Sequence, residues 1–266
     1  KGGGNQPLFM LHPEAVSEDR LSDRAEDLTP QTANQVLSQI PNETSYWGNQ
    51  RFTSGNVYVG VILVYLFLLS LVFVKDKAKW FLFAVMILTI MLSWGKNMMW
   101  LTDFFLDYVP GYNKFRSPSM ILVVAELIIP LLAILFLNDL FKNRDELVEK
   151  VKYFYFLTGG LILFLIVLMA SPESFFNFFP NGQGNLTLDY IAQVKPELDV
   201  QQQMGIVQFY NTEYYPFLKG IRISIFQSDI ARAIVFLVLS GAVLLAFIFN
   251  KINQIALSII LGILVV

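Results

Sequence analysis

Long apolar blocks alternate with polar segments along most of this chain. Most of the blocks are close to the roughly 20 apolar residues that a helix needs to cross a bilayer. The pattern therefore predicts an all-α fold, a polytopic helical integral membrane protein with long polar segments between its spans. The predicted spans cover residues 57–74, 80–94, 119–137, 153–170, 230–249 and a sixth block that begins at Ile252.

Charge in the short connections predicts the orientation of these spans. Loops 75–79 and 138–152 carry clustered lysine and arginine, and Lys251 follows the fifth span. If the spans alternate, all three lie on one side, which the positive-inside rule makes cytoplasmic. Residues 1–55, 95–118 and 171–228 then lie on the outer side. The predicted segments are an outer loop over 1–55, two spans over 56–100, an outer polar loop over 101–118, two spans over 119–170, an outer segment with interfacial amphipathic helices over 171–228, and the fifth span with a truncated sixth over 229–266.

Composition narrows the class further. The 266 residues are 55% hydrophobic and 15% charged, whereas soluble domains carry about 25% charged residues. A net charge of -2 gives no support for a nucleic-acid partner. With one histidine, His12, and no cysteine, no metal ligands are assigned, and a divalent ion is left open as a cofactor. Because Lys1–Asn5 shows no initiator methionine and the last block is short, we expect a piece of a larger membrane protein.

The first charged cluster lies in the predicted outer polar loop. An arginine fork matches a phosphate group and lysine adds a mobile charge, so Lys114 and Arg116 are candidates for holding a phosphate. The alternative is that both anchor helix ends by reaching towards lipid headgroups, although such anchors gather on the inner side. Asp103, Asp107, Tyr112 and Asn113 are the candidate supporting residues.

A second cluster precedes and enters the fifth span. Spacings of seven and three residues place Arg222, Asp229 and Arg232 on one helical face. This face is either a cationic site for a phosphate, with Asp229 in support, or an internal Asp–Arg pair that offsets burial. Glu126, inside the third span, is a further supporting candidate, because ionisable residues within a membrane are usually functional. It is alternatively protonated, or paired with Lys96 or Arg232.

The order and spacing of several short motifs resemble those of the bacterial YfhO membrane-protein family, along essentially the whole chain. That family is similar to the GT-C class of glycosyltransferases, which transfer a sugar from a polyprenyl-phosphate donor on the outer face of the membrane. The motifs are Tyr46-Trp47-Gly48, Thr53-Ser54-Gly55, Leu92-Ser93-Trp94-Gly95-Lys96-Asn97, Pro110-Gly111-Tyr112-Asn113-Lys114-Phe115-Arg116, and Arg222 with Phe226, Asp229 and Arg232.

The resemblance implies a GT-C-like hexosyltransferase in the bacterial cytoplasmic membrane. Its partners would be membrane lipid, a polyprenyl-phosphate sugar donor and a cell-envelope polymer or lipid as acceptor. The catalytic carboxylate of that class lies on the first outer loop, outside this sequence. Lys114, Arg116, Arg222 and Arg232 would then hold the donor phosphate, and Asp103 and Asp107 would assist a metal ion or the acceptor. Two alternatives remain open: a lipid-carrier transporter or flippase, and a non-catalytic membrane scaffold.

Overall fold

The computed structural model describes residues 58–114, 118–179 and 184–265, and these residues contain helices and no strand. The predicted all-α class is therefore confirmed for this part of the chain. The α-helices are α1 (Val61–Phe73), α2 (Ala78–Ser93), α3 (Met99–Tyr108), α4 (Leu122–Lys142), α5 (Arg144–Glu149), α6 (Val151–Ala170), α7 (Pro172–Phe175), α8 (Leu188–Val194), α9 (Val200–Phe209), α10 (Tyr215–Ile248) and α11 (Gln254–Val265).

Three stretches of the described residues are long and apolar enough to cross a membrane: Pro118–Lys142, Val151–Ala170 and Val200–Ile248. They contain the third, fourth and fifth predicted spans and indicate a membrane-associated protein. The helices at the other three apolar blocks, α1, α2 and α11, have only 13, 16 and 12 residues. At about 1.5 Å per residue, each is shorter than the roughly 30 Å of a hydrocarbon core. Five spans and a truncated sixth were predicted, and three stretches among the described residues are long enough to cross a membrane.

Two further boundaries differ from the predictions. The expected polar loop 101–118 is helical through Tyr108, as the end of α3. The fifth span was expected to begin at Ile230, but α10 begins at Tyr215 and continues without a break to Ile248. Residues 101–108 and 221–229 contain no proline or glycine. The helix therefore continues beyond the apolar run in each segment and includes the charged residues.

The chain divides into two compact units. Among the described residues, the first unit comprises those from 166 to 231, and the second comprises those from 58 to 165 and from 232 to 265. The boundary falls inside α6 and inside α10, so both helices contribute to both units.

The second unit is built on the contact between α1 and α4. Leu66 and Leu69 of α1 are buried in one apolar cluster with Ala133 and Phe136 of α4. A second cluster joins α2 to the other half of α4, around Met86, Phe67 and Leu132. Since both clusters use α4, this helix is the central element of the unit.

A polar contact inside this unit joins α1 to α6. The hydroxyl of Tyr65 lies 2.8 Å from the hydroxyl oxygen of Thr158, and the Tyr65 ring meets Phe154 edge-on at 6.4 Å. Gly241 of α10 lies beside this pair, and a β-carbon there would be in ordinary van der Waals contact with the Tyr65 hydroxyl, at 3.4 Å. Small residues allow helix backbones to approach closely in membrane proteins.

Lysine caps the end of α1. The ammonium group of Lys79 donates hydrogen bonds to the carbonyl oxygens of Leu71, at 2.7 Å, and Val74, at 2.6 Å. Carbonyls in the last turn of a helix have no partner within the helix, and a cation there also complements the helix dipole. Lys79 is 7% exposed, so it replaces solvent at this helix end.

The first unit has helices where the sequence predicted amphipathic segments. α9 begins with a capping box: the Asp199 carboxylate accepts from the amide of Gln202 at 2.7 Å, and the Gln202 side chain accepts from the Asp199 amide at 3.3 Å. The π-helical turn Tyr210–Tyr214 then leads into α10. Asn211 in that turn exchanges two hydrogen bonds with the backbone of Leu186, which ties the start of α8 to this turn.

Candidate functional site

Gly95 organises the segment that carries the first predicted cluster. Its φ of 49° is in the left-handed region, and a β-carbon at this position would lie 3.0 Å from Cγ of Pro118. Its carbonyl accepts a hydrogen bond from the Thr102 hydroxyl at 3.0 Å. One glycine therefore ends α2, supports α3 and contacts the residue at which the next helical stretch begins.

α3 presents two parallel stripes to its surroundings. Asp103 and Asp107 lie one turn apart and are exposed. Trp100, Phe104 and Tyr108 form a neighbouring aromatic stripe, also exposed, in which the rings of Phe104 and Tyr108 are 5.1 Å apart. Carboxylates beside exposed aromatic rings suit a headgroup-level position, where one stripe meets lipid and the other meets water.

Of the two basic residues in this cluster, the structure describes Lys114 but not Arg116. Lys114 is exposed and ends the 3-10 helix Tyr112–Lys114, where its amide donates to the carbonyl of Gly111 at 3.0 Å. Tyr112 is half-buried, and its ring packs 5.5 Å from that of Phe105. Asn113 has its backbone in the same 3-10 helix. Arg116 lies outside the described residues, so its joint action with Lys114 stays a prediction.

Arg222, in the first unit, is deeply buried. Its side chain is 1% exposed, and Nη1 donates to the carbonyl oxygen of Phe178 at 2.8 Å. The guanidinium lies 5.3 Å from the centre of the Phe179 ring, a cation–π arrangement. Phe226, one turn later on α10, meets Phe178 edge-on at 5.8 Å. These contacts fasten the start of α10 to the chain that follows α6.

Two side-chain contacts reinforce this junction within the first unit. Lys219 forms an ion pair with Glu173 at 2.5 Å, and the side-chain amide of Gln227 donates to the carbonyl of Met169 at 3.0 Å. Sequence reasoning missed both. No sequence feature indicates these contacts, because they form only when α10 begins at Tyr215 and runs alongside residues 169–179.

The three charged residues of the predicted second cluster have different environments. Arg222 is buried, whereas Asp229 and Arg232 are exposed. All three make polar or electrostatic interactions. Arg222 and Asp229 belong to the first unit, and Arg232 and Lys114 belong to the second. Their common use as a phosphate site stays a prediction, and the burial of Arg222 and its hydrogen bond to Phe178 show a structural role.

Glu126 lies on the exposed side of α4. In the described part of the chain it forms no hydrogen bond and no ion pair, with Arg232 or otherwise. Pro130 follows one turn later in the same helix. Because proline has no amide hydrogen, the helical hydrogen bond to the carbonyl of Glu126 is missing. On insertion scales, a charged side chain at a helix centre costs about 2.5–3.5 kcal/mol in a membrane.

A polar cluster at the opposite end of α4 was not predicted as a site. Glu146 forms ion pairs with Lys75 and with Lys150, the latter at 2.7 Å. The hydrogen bond from Lys150, followed by that from Lys75, lowers the pKa of the Glu146 carboxyl below its ordinary value of 4.5. Arg144 donates to the side-chain oxygen of Asn250 at 2.7 Å. A cavity of about 440 Å³ lies here; its lining residues are Phe141, Lys142, Asn143, Arg144, Asp145, Glu146 and Phe247.

A metal centre was left open by the sequence. Among residues 58–114, 118–179 and 184–265, no group of three or more histidine, cysteine, aspartate or glutamate side chains is placed to hold an ion. In this part of the chain, Asp103 and Asp107 have no third histidine, cysteine or carboxylate side chain placed to complete such a group. Comparison with protein-family models, curated proteins and solved structures found no match to the chain.

Proposed function

We propose that this chain is part of an integral-membrane glycosyltransferase that uses a polyprenyl-phosphate-linked sugar and glycosylates a cell-envelope polymer or lipid. The bacterial inner membrane, the outer-face orientation and the likeness to the YfhO family and GT-C class belong to the same proposal. Its sequence support is the ordered set of motifs. Its structural support is that the described residues contain apolar helices of membrane length, and that the charged, aromatic segment with α3 and Lys114 lies next to the start of one of them, Pro118–Lys142.

The observation that carries the proposal is the Gly95–Pro118 contact. It brings together the two ends of the segment that contains α3 and Lys114, at the beginning of the candidate span Pro118–Lys142. A lipid-linked donor keeps its chain in the membrane and its phosphate at the surface. We propose that exposed Lys114, together with Arg116 two residues later in the sequence, binds this phosphate.

Sugar transfer needs two kinds of group. A carboxylate base activates the acceptor hydroxyl, and cations stabilise the negative charge that develops on the leaving phosphate. The residues proposed for the second task are Lys114, Arg116 and Arg232, with Arg222 as a positioning residue. Asp103 and Asp107 are proposed to assist a metal ion or the acceptor. The resemblance implies that the base itself lies outside this sequence.

The test is sugar transfer from a labelled polyprenyl-phosphate sugar by the full protein in membranes. Lys114→Ala and Arg116→Ala should each lower transfer by about 10-fold or more, since a charged hydrogen bond contributes about 1.5–3 kcal/mol. Lys77→Ala is the control, because Lys77 is exposed in the turn between α1 and α2. Transfer that is unchanged in both site variants would refute the assignment, and lipid translocation without transfer would favour a carrier transporter.

A further inference from the structure

The outward side of α4 carries a regular stripe of exposed residues. Leu127 is 71% exposed, and Val123, Leu131 and Ile134 are exposed on the same side. The opposite side of α4, with Ala125, Ile128, Leu132, Ala133 and Phe136, is buried against α1 and α2. We call the exposed residues Val123, Glu126, Leu127, Leu131 and Ile134 the Glu126 stripe.

The stripe differs from an ordinary lipid-facing surface in its polar groups. Glu126 lies about 12 Å along the candidate span from Pro118, which is inside the hydrocarbon region if the span crosses a bilayer. Its carboxylate makes no hydrogen bond or ion pair within the described residues. Its carbonyl also lacks the usual helical hydrogen bond, because Pro130 cannot supply the donor.

The carboxylate and the main-chain carbonyl of Glu126 both need hydrogen-bond donors, and this requirement limits what can pack against the stripe. Hydrocarbon offers no donors, so acyl chains cannot satisfy either group. A lysine or an arginine carries several donors and a positive charge, and intramembrane carboxylates pair with such residues or face protein. The apolar members of the stripe, at helical spacing, provide the packing surface on which a neighbouring helix would lie.

We propose that the Glu126 stripe is the contact surface for a further transmembrane helix, which brings a lysine or arginine side chain to Glu126. The cation pairs with the carboxylate, and a remaining N–H group reaches the carbonyl freed by Pro130. This inference uses charge complementarity along α4 and is independent of the proposed transferase activity.

Single cysteines are introduced for spin labelling of the full protein in membranes, in a background free of other cysteines; the 266 residues of this sequence contain none. Leu127→Cys reports on the stripe. Leu163→Cys is the control, since Leu163 is exposed on α6 among apolar neighbours. We expect the label at 127 to collide several-fold less with oxygen than the label at 163, and to be equally protected from a water-soluble nickel chelate. Oxygen access as high at 127 as at 163 would overturn the proposal.

The chemistry of the partner is tested in the same labelled background. Glu126→Lys should raise oxygen access at 127 to the level at 163, because two cations would repel each other, whereas Glu126→Asp should leave it low. Protection that survives Glu126→Lys would overturn the cationic partner. Dipolar broadening between labels at 127 would identify a second copy of the chain as the occupant and would also overturn the proposal.

Discussion

The guanidinium of Arg222 donates to the main-chain carbonyl of Phe178 at 2.8 Å, and both side chains are 1% exposed. This hydrogen bond joins α10 to the segment after α6 across more than forty residues of sequence. A buried carbonyl that loses its donor costs about 1–3 kcal/mol. Arg222 is therefore part of the framework of the first unit, whatever further role its charge has.

Arg222→Ala should lower the free energy of unfolding by about 1–3 kcal/mol. Arg222→Lys should recover part of the loss, since lysine can donate to Phe178 but cannot lie flat over the ring of Phe179. Thermal unfolding in detergent measures both. Arg232→Ala, at an exposed position of the same helix, is the control and should change stability less. Wild-type stability in Arg222→Ala would contradict the structural role.

Lys79→Met should destabilise the second unit by about 1–3 kcal/mol, because the carbonyls of Leu71 and Val74 lose their donor. Methionine keeps the length and apolar stem of lysine, so the loss reflects the hydrogen bonds and the charge. Lys77→Met, in the exposed part of the same turn, provides the comparison. If both variants unfold at the same temperature, the capping role of Lys79 is wrong.

Gly95→Ala should destabilise the junction between α2 and α4. An alanine at φ 49° costs roughly 1–2 kcal/mol, and its β-carbon would press on Pro118 at 3.0 Å. Gly160→Ala is the matched control, because Gly160 is helical and its β-carbon would meet open space. That variant should be neutral or slightly stabilised. Proteolysis of the segment after α2, together with thermal unfolding, measures the difference.

Glu146 should make stability depend on pH. Its pKa is lowered in the folded protein by Lys150 and Lys75, so its stabilising contribution is present above the ordinary pKa of the carboxyl. That contribution is lost as the pH falls through the lowered folded value. Glu146→Gln should therefore be less stable than wild type near neutral pH and should converge with it on acidification.

Thermal unfolding from about pH 7 to about pH 3 tests this convergence. Glu149→Gln is the control, since Glu149 is an exposed residue of the same short helix. A constant difference for Glu146→Gln over the whole range would show that its ion pairs do not contribute.

The sequence predicted where helices occur better than where they end. Every predicted apolar block coincides with a helix in the described residues, because apolar side chains and the absence of breakers act locally. Residues 101–108 of α3 and 215–229 of α10 were not predicted as parts of these helices, for a different reason. Their charged residues look like loop, yet Leu101 of α3 and Ile225 of α10 are buried, and that packing stabilises helical backbone around exposed carboxylates and amides.

For the candidate site, the sequence likewise predicted which residues matter but not which contacts they make. Sequence alone selected Lys114, Arg222 and Glu126 as charges that need an explanation in an apolar chain. The sequence could not show that Arg222 is buried and bound to a main-chain carbonyl rather than exposed. Arg222 contacts Phe178 and Phe179 only when α10 packs against the segment that contains them. The sequence also provided no indication of Lys79 as a cap, since the carbonyls that it binds are backbone groups.

The chain's sequence by itself determined that this is an all-helical, membrane-associated protein, because the length and apolarity of its blocks are properties of contiguous residues. Tertiary structure decided which charges are buried, and that Gly95 at the end of α2 lies against Pro118 just before α4. These outcomes depend on contacts between residues far apart in sequence, such as Tyr65 with Thr158. Local patterns carry no information on such contacts until the helices are packed.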